Sequence, residues 1–159
     1  MSEMRRTDRE VTDRETILAW LRETPVARLG FADGNEPYVV PLNFGITTTS
    51  PLTLVFHCAT TGRKLDIMGR NPRVCFEADI PGELKDAGAT ACRWGMAFRS
   101  VIGYGTLEKI ADDDEKRSAL EALMSKYSSR KDWQFDPAEF KAVTMLKLRV
   151  EEISAKQKV

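Results

Sequence analysis

The sequence predicts a mainly β protein, a six-stranded antiparallel barrel with flanking helices, in which residues 1–159 form a single domain. Two observations lead to this fold class. Short runs of β-branched and aromatic residues recur along the chain, and turn signals rather than long helices separate most of them. The elements follow in the order helix, three strands, short helix, two strands, longer helix and final strand, which favours hairpins over a parallel sheet.

The first helix is predicted over about residues 13–23. A T-x-x-E capping-box pattern begins at Thr12, and apolar residues recur at helical spacing from Ile17 onward. Pro25 closes the helix. The polar residues 1–11 that precede it are predicted to form an N-terminal arm.

Three strands are predicted next, in the segments VARLGF, PYVVPLNFGI and PLTLVFHCA. The dipeptide Asp33-Gly34 between the first two is a strong hairpin-turn signal. A short helix, RKLDIMGR, and a cleanly alternating strand, RVCFEADI, follow. Residues 81–92, PGELKDAGATAC, are predicted to be a loop.

Two long strands, AFRSVIGYGTLEKI and TMLKLRVEEI, complete the predicted sheet, and the helix DDDEKRSALEALMSKY lies between them. Gly103 and Gly105 share one face of the first strand, which predicts the close approach of a flat group or of another backbone. Leu146, Leu148 and Val150 share one face of the last strand, which is therefore predicted to face the core.

The composition is that of an ordinary soluble globular protein, with 42% hydrophobic and 30% charged residues. The 24 basic and 24 acidic residues balance, which argues against a nucleic-acid-binding surface. No apolar run is long enough to span a membrane, and no apolar segment follows the N-terminal arginines as a secretion signal requires. We therefore expect a cytoplasmic protein. Three widely spaced cysteines do not suggest a disulfide framework.

Metal binding and nucleophilic catalysis have little support in the sequence. His57 is the only histidine, and its neighbour on a strand is Cys58, so the two side chains are predicted to face opposite ways. Cys75 and Cys92 stand singly, without the C-x-x-C pair typical of zinc sites. The sequence has neither a G-x-S-x-G elbow nor a G-x-G-x-x-G dinucleotide motif. No metal site is predicted.

The pair Arg63 and Lys64, at the start of the short helix, has the clearest chemical meaning. A helix N-terminus already carries partial positive charge and free N–H groups, so two more cations are unfavourable there unless an anion binds. The hydroxyl groups of Thr60 and Thr61 stand just before the helix, and a phosphate would suit this set of donors. The alternative is that both cations reach solvent or pair with nearby acids.

These segments resemble a known family. FHCATTGRKL is similar to the part of pyridoxamine 5'-phosphate oxidase-like, FMN-binding split-barrel proteins in which a strand runs into an R-K phosphate clamp. PYVVPLNF, GRKLDIMGRNPRVCFE and RSVIGYG resemble more closely one branch of that family, the nitroimidazole-reductase-like proteins. The resemblance covers most of the chain. It implies a split β-barrel of Greek-key type, bound FMN, and a homodimer with the flavin at the subunit interface.

The resemblance also implies the residues of the cofactor site. Arg63 and Lys64 would clamp the phosphate, whereas Arg99 and Ser100 would face the flavin or its phosphate. His57 would lie near the flavin and the substrate pocket. The full set of implied cofactor-binding residues is Val40, Pro41, Leu42, Asn43, His57, Cys58, Ala59, Arg63, Lys64, Leu65, Arg99 and Ser100.

The expected function is flavin-dependent reduction of a small molecule, such as a nitro compound or a quinone. His57 is the candidate proton donor because histidine titrates near neutral pH, and its alternative role is a wall of the flavin pocket. Trp94 and Phe98 either wall the substrate pocket or serve as plain core or dimer contacts. The C-terminal segment RVEEISAKQKV lacks the Trp and His that the oxidase proper uses, so oxidation of pyridoxamine phosphate is not expected.

Two further classes of protein stay open at this point. One is a non-catalytic flavin- or haem-binding module, in which His57 would be an axial ligand of the haem. The other is a regulatory or storage protein that holds FMN without turnover. The absorption spectrum separates flavin from haem, and the rate at which acceptors reoxidise the bound flavin separates an enzyme from a storage protein.

Overall fold

The computed structural model describes residues 4–159, so residues 1–3 of the predicted N-terminal arm lie outside the described part. Over that range the chain forms eight β-strands and four α-helices. The strands are β1 (Glu10–Val11), β2 (Ala27–Asp33), β3 (Glu36–Leu42), β4 (Gly45–Thr49), β5 (Leu52–Ala59), β6 (Arg73–Lys85), β7 (Gly95–Lys109) and β8 (Val143–Lys158). The helices are α1 (Arg14–Glu23), α2 (Arg63–Arg70), α3 (Asp113–Tyr127) and α4 (Pro137–Ala142).

The strands form one antiparallel sheet in the order β3-β2-β6-β7-β8-β5-β4, and β1 pairs with β8 off this path. The predicted β-dominated, antiparallel fold is confirmed. Within residues 4–159 no pairing joins the end strands β3 and β4, so the hydrogen-bonded sheet is open. The longest strand, β8, pairs with β7, β5 and β1, and it therefore ties the two halves of the sheet together.

The predicted number of six strands is wrong because the run PYVVPLNFGI divides into two strands. Asn43 and Phe44 separate β3 from β4, and the chain changes partners there: β3 pairs with β2, whereas β4 pairs with β5. The remaining strand, β1, lies in the segment predicted as a polar arm, where Glu10 pairs with Lys156.

The predicted hairpin between β2 and β3 is confirmed. Asp33 pairs with Glu36, and Gly34 in the turn has φ of 62°, a value that L side chains rarely adopt. The predicted short helix RKLDIMGR is also confirmed, as α2.

The first helix is confirmed, but Thr12 is not its capping residue. The carboxylate of Asp13 accepts a hydrogen bond of 2.8 Å from the backbone N–H of Thr16, and the helix begins at the residue after Asp13. One face of α1 is buried in the core of the sheet because its apolar residues recur with the helical period. The buried residues of α1 are Ile17, Leu18, Trp20 and Leu21.

The predicted loop over residues 81–92 is wrong in its first part, where β6 continues to Lys85. The register between β6 and β7 shifts between Pro81 and Leu84, and Leu84 then pairs with Met96. A proline is compatible with a strand at such an irregularity because no regular ladder hydrogen bond is required of it. Helix α4 was not predicted either.

The core lies against the inner face of the sheet, where three phenylalanines, Phe44, Phe56 and Phe76, are fully buried. Truncating such a side chain to alanine costs about 3–5 kcal/mol. The predicted inward face of β8 is confirmed at Leu146 and Leu148, which are also fully buried.

The close approach predicted at Gly103 and Gly105 is confirmed. A Cβ on Gly103 would lie 2.9 Å from the carbonyl oxygen of Glu152 and would collide with the ring of Phe76. A Cβ on Gly105 would collide with the carbonyl of Arg149. The flat group is therefore a core phenylalanine, and the other backbone is that of β8.

Helix α3 covers part of the outer face of the sheet through a second, smaller core. This core consists of Val55, Ile110, Ala119, Leu123 and Met145. Among the helices formed by residues 4–159, none is long and apolar enough to cross a membrane.

Candidate functional site

Strand β5 places His57 and Cys58 on opposite faces, as predicted. His57 is exposed, whereas Cys58 is only 8% exposed and belongs to the main core. Burial raises the pKa of the Cys58 thiol, and the nearby charge of Lys64 acts in the opposite direction. A ligand on this strand would thus meet the imidazole of His57 but mainly the backbone of Cys58. In the described range, no group of three or more His, Cys, Asp or Glu could hold a metal ion.

The chain leaves β5 through Thr60 and Thr61, which are both exposed, and enters α2 at Gly62. Gly62 has φ of 137°, a conformation that L residues rarely adopt, so this junction depends on glycine. Within residues 4–159 no side chain caps α2, although the carbonyl of Gly62 accepts a 2.9 Å hydrogen bond from the N–H of Leu65. The N–H of Asp66 donates to the same carbonyl at 3.2 Å, so the N–H groups of Arg63 and Lys64 are the ones left for a ligand.

Arg63 and Lys64 are the first two residues of α2, and no other described residue forms an ion pair with either of them. Arg63 is exposed, and its guanidinium carbon lies 4.8 Å from the ring centroid of Tyr38 on β3. This contact orients the guanidinium without neutralising it. Of the two alternatives, pairing with nearby acids is therefore not found among residues 4–159, whereas Arg63 does reach solvent and Lys64 is half-buried.

Arg28 on β2, unlike Arg63, forms ion pairs with carboxylates of the same chain. Its guanidinium donates to the carboxylates of Glu77, at 2.9 Å, and Asp79, at 2.5 Å, on the neighbouring strand β6. Those carboxylates raise the pKa of Arg28 further. Unlike Arg63, Arg28 therefore already has anionic partners within the chain.

Strand β3 brings further predicted residues close to the start of α2. Val40 and Leu42 are half-buried against the core, as is Leu65 on α2, whereas Pro41 between them is exposed. Since β3 pairs only with β2, its other edge carries backbone N–H and C=O groups without a strand partner. Asn43, at the end of β3, uses its side-chain amide to donate to the carbonyl of Pro25 at 3.1 Å.

Arg99 and Ser100 lie on β7, a strand that pairs with neither β3 nor β5. The guanidinium of Arg99 donates two hydrogen bonds of 2.9 Å to the carboxylate of Glu23 at the end of α1. Ser100 lies opposite Asp79 of β6 and Lys156 of β8 in the sheet register. An open cavity of about 380 Å³ adjoins this region, and its lining residues are Glu23, Thr24, Pro25, Val26, Arg28, Asp79, Ile80 and Pro81.

The predicted site residues therefore form two groups within one chain. The first contains the ends of β5 and β3 with the start of α2, and the second contains Arg99 and Ser100. Sequence reasoning missed Tyr38, the residue beneath Arg63. The alternation of β3, which places Tyr38 on the same face as Val40 and Leu42, is the signal that identifies it.

Two aromatic residues were also predicted as candidates for the substrate pocket. Trp94 directly precedes β7, and Phe98 lies within it. The indole N–H of Trp94 donates to the carbonyl of Gly88 at 2.8 Å, and the ring is 40% exposed. Phe98 is half-buried. Leu84 and Met96, which pair across the β6–β7 hairpin, are exposed as well.

The sequence model of the family described as pyridoxamine 5'-phosphate oxidase matches residues 13–157. The chain belongs to this family. The match extends over α1 to β8 and so includes both groups of site residues, and the resemblance predicted from the sequence is confirmed. No curated protein shows significant similarity to the chain.

Solved structures that resemble this family member include three from bacteria. A candidate 5-nitroimidazole antibiotic resistance protein from Bacteroides thetaiotaomicron is 27% identical, with a TM-score of 0.81 over 93% of this chain and 86% of that one. The flavocytochrome Anf3 from Azotobacter vinelandii is 23% identical, with a TM-score of 0.81 over 99% of this chain and 72% of that one. An FAD- and haem-binding protein from Mycobacterium smegmatis is 23% identical, with a TM-score of 0.82 over 94% and 73%.

Proposed function

We propose that this family member is an FMN-binding split-barrel flavoprotein and a flavin-dependent oxidoreductase that reduces a small molecule, such as a nitro compound or a quinone. The proposal depends above all on one observation: Arg63 and Lys64 stand at an uncapped helix N-terminus with no ion-pair partner among residues 4–159. The flavin proteins among the similar structures support it.

The start of α2 suits the phosphate of FMN on chemical grounds. A phosphate offers several acceptor oxygens and carries about two negative charges, and this site offers N–H groups, two hydroxyls and two cations. Arg63, Lys64, Thr60 and Thr61 would hold the phosphate, and the absence of a side chain on Gly62 leaves the backbone open to it. The same cations without an anion would repel the positive end of the helix.

The flavin ring system would be held by backbone rather than by charged side chains. The free edge of β3, from Val40 to Asn43, offers hydrogen-bonding groups that a heterocycle can use, and the residues of β5 from His57 to Ala59 would form a second wall. Bound FMN would supply the electron transfer, which none of the protein's own side chains can perform.

We also propose that the protein is a homodimer with the flavin at the subunit interface. Arg99 and Ser100 lie on β7, which pairs with neither β3 nor β5, so a second copy is one way to bring both groups to the same flavin. The exposed side chains of Leu84, Trp94 and Met96 support such an association, because exposed apolar side chains of this size gain from burial.

His57 would act on the substrate. Its imidazole is exposed on the same strand that leads to the phosphate site, and it has no hydrogen-bond partner among the described residues. An imidazole so placed can donate a proton to a reduced substrate. If His57 is a proton donor, His57→Gln should bind flavin and substrate but reduce the substrate more slowly. If His57 is only a wall of the pocket, the variant should keep both its binding and its rate of substrate reduction.

A haem-binding module is the second candidate function. The imidazole of His57 is the observation that favours it, because a histidine that is exposed and has no hydrogen-bond partner among residues 4–159 is a suitable axial ligand. Two of the similar structures are named as a flavocytochrome and as an FAD- and haem-binding protein. A Soret band in the purified protein, lost in His57→Ala, is the expected sign of this function.

The absorption spectrum of the purified protein and stopped-flow kinetics test the proposed function together. We expect flavin bands, and we expect a nitro compound, a quinone or oxygen to reoxidise the bound reduced flavin faster than free reduced FMN. FAD and riboflavin are the control ligands for FMN in binding measurements, since both lack its terminal phosphomonoester. A reoxidation rate no higher than that of free FMN with every acceptor would show that the protein binds flavin without turnover.

A further inference from the structure

Lys126, in the last turn of α3, is an amine held in an apolar setting outside the proposed flavin site. Its Nζ donates a hydrogen bond of 2.8 Å to the carbonyl of Leu21 on α1 and lies 3.1 Å from the ring centroid of Phe44. In the described range no carboxylate forms an ion pair with it. The hydrogen bond requires only an N–H, so a neutral amine retains it.

Burial lowers the pKa of Lys126 to about 7. The charged and titratable groups around it are Arg22 on α1 and Tyr127 on its own helix, while β4 contributes Gly45 and Ile46, which have no charge. No carboxylate among residues 4–159 therefore pairs with the ammonium form, and near neutral pH a large share of the amine has a free lone pair. Desolvated lysines of this kind are nucleophiles toward carbonyl carbon.

An open cavity of about 360 Å³ adjoins Lys126. Its lining residues are Arg22, Ile46, Ala122, Ser125 and Lys126. Arg22 is exposed and has no ion-pair partner among residues 4–159, so its guanidinium is free to bind an acidic group in the cavity. The cavity thus combines a nucleophilic amine with a cationic anchor.

We propose that Lys126 is an attachment site for a small carbonyl compound that carries an acidic group, such as an α-oxo acid, with Arg22 as the anchor for the acid. The lone pair of Nζ attacks the carbonyl carbon and forms a C–N bond. The carbonyl oxygen leaves as water, together with the two protons of the amine, and a Schiff base results. No electrons change hands, and hydrolysis reverses the step. The site uses neither the phosphate site nor His57.

Glyoxylate with cyanoborohydride tests this site in the full-length protein, because reduction of the Schiff base fixes the adduct for peptide mass spectrometry. The exposed lysines Lys109 and Lys141 serve as internal controls. Near neutral pH we expect Lys126 to react at least about tenfold faster than either control, because of its larger neutral fraction. Its rate should level off above about pH 7, whereas the rates of the controls continue to rise.

Arg22→Gln is the matched variant for the anchor, and it leaves the amine in place. We expect it to slow the reaction with glyoxylate by about tenfold, the loss of one charge-assisted contact, and to leave the reaction with neutral propionaldehyde unchanged. Lys126→Met keeps the apolar stem of the side chain without its amine, and it should abolish the preferred adduct without loss of fold by circular dichroism.

Modification of Lys126 at the same rate as Lys109 and Lys141 would overturn the proposal, and so would equal slowing of both aldehydes in Arg22→Gln. FMN titrations of the same samples report the flavin site separately. A protein that binds FMN but shows no preference for Lys126 refutes only the attachment site. A protein that shows the preference without binding FMN refutes only the proposed function.

Discussion

The start of α2 and the end of α3 place a cationic side chain in opposite environments. Arg63 is exposed at the positive end of a helix, where the macrodipole disfavours a cation. Lys126 lies against a carbonyl at the negative end of α1, where the macrodipole favours one. The pKa of the half-buried Lys126 is nevertheless lowered, to about 7, although the helix dipole favours its charged form.

The difference shows that burial outweighs the helix dipole in this protein. A helix end changes the energy of a charge by about 0.3–1 kcal/mol, whereas removing an ammonium from water costs several kcal/mol. The two regions are therefore suited to different ligands. The cations at the start of α2 suit an anion, whereas the half-buried amine of α3 suits an electrophilic carbonyl carbon.

Replacement of both cations at the start of α2 should give the largest effect. Each charge-assisted hydrogen bond contributes about 1.5–3 kcal/mol, so Arg63→Ala with Lys64→Ala should weaken FMN binding by several kcal/mol, roughly a thousandfold. Isothermal titration of the apoprotein measures this loss. Arg70→Ala is the control, because Arg70 lies at the other end of α2 and pairs with Asp33. An equal loss in Arg70→Ala would mean that α2, rather than its cations, determines affinity.

Gly62→Ala should have the next largest effect. The φ of 137° at Gly62 is strained for alanine, which costs about 1–3 kcal/mol. We expect a lower urea midpoint and weaker FMN binding. Gly69→Ala in the same helix is the matched control: a Cβ there meets nothing within 4 Å, and alanine favours the helix by about 1 kcal/mol. A midpoint for Gly62→Ala equal to that of the wild type would show that the junction does not depend on glycine.

The pH dependence of stability should expose the buried amine. Because the pKa of Lys126 is about 7 in the folded state and near 10.5 when unfolded, the unfolded chain binds more protons between these values. This residue therefore makes the protein more stable as pH rises from about 7 toward 10. After allowance for solvent screening we expect about 1 kcal/mol between pH 7 and 9, measured by urea unfolding. Lys126→Met should lose this rise, and an unchanged slope would contradict the burial of the amine.

Arg99→Ala should give the smallest effect. Arg99 and Glu23 form an exposed pair, and such pairs contribute about 0.2–1 kcal/mol. We expect a loss of stability in that range, a similar loss in Glu23→Gln, and a decrease in FMN affinity of less than about tenfold. A loss of FMN affinity as large as that of the α2 double variant would mean that Arg99 contributes as much to FMN binding as the two α2 cations together.

Local signals in the sequence predicted much of the fold and part of the site. The turn at Asp33-Gly34, the alternation of β5 and the start of α2 each depend on a few adjacent residues, and each was confirmed. The capping residue of α1 was missed because two capping patterns overlap, and the carboxylate of Asp13 accepts from Thr16 in place of the predicted Thr12 box. The strand at residues 81–85 was missed because Pro81 fits β6 only at an irregularity in its pairing with β7. That pairing is a contact with a distant segment and leaves no local signal in the sequence.

Contacts between distant segments could not be predicted from single residues. Lys126 meets Leu21 across 105 positions, and Arg99 meets Glu23 across 76. Nothing near Lys126 in the sequence marks it as buried, because the carbonyl and the ring that surround it belong to α1 and to the bend between β3 and β4. The charge of a residue is local in the sequence, but its solvation depends on the assembled fold.

The most direct measurement is the affinity of FMN against that of riboflavin, in the wild-type protein and in the Arg63→Ala, Lys64→Ala double variant. These ligands differ only in the phosphate. If the start of α2 holds the phosphate, wild-type protein should bind FMN at least about a hundredfold more tightly than riboflavin, and the double variant should bind both with similar affinity. Equal losses for FMN and riboflavin in the double variant would contradict the phosphate site.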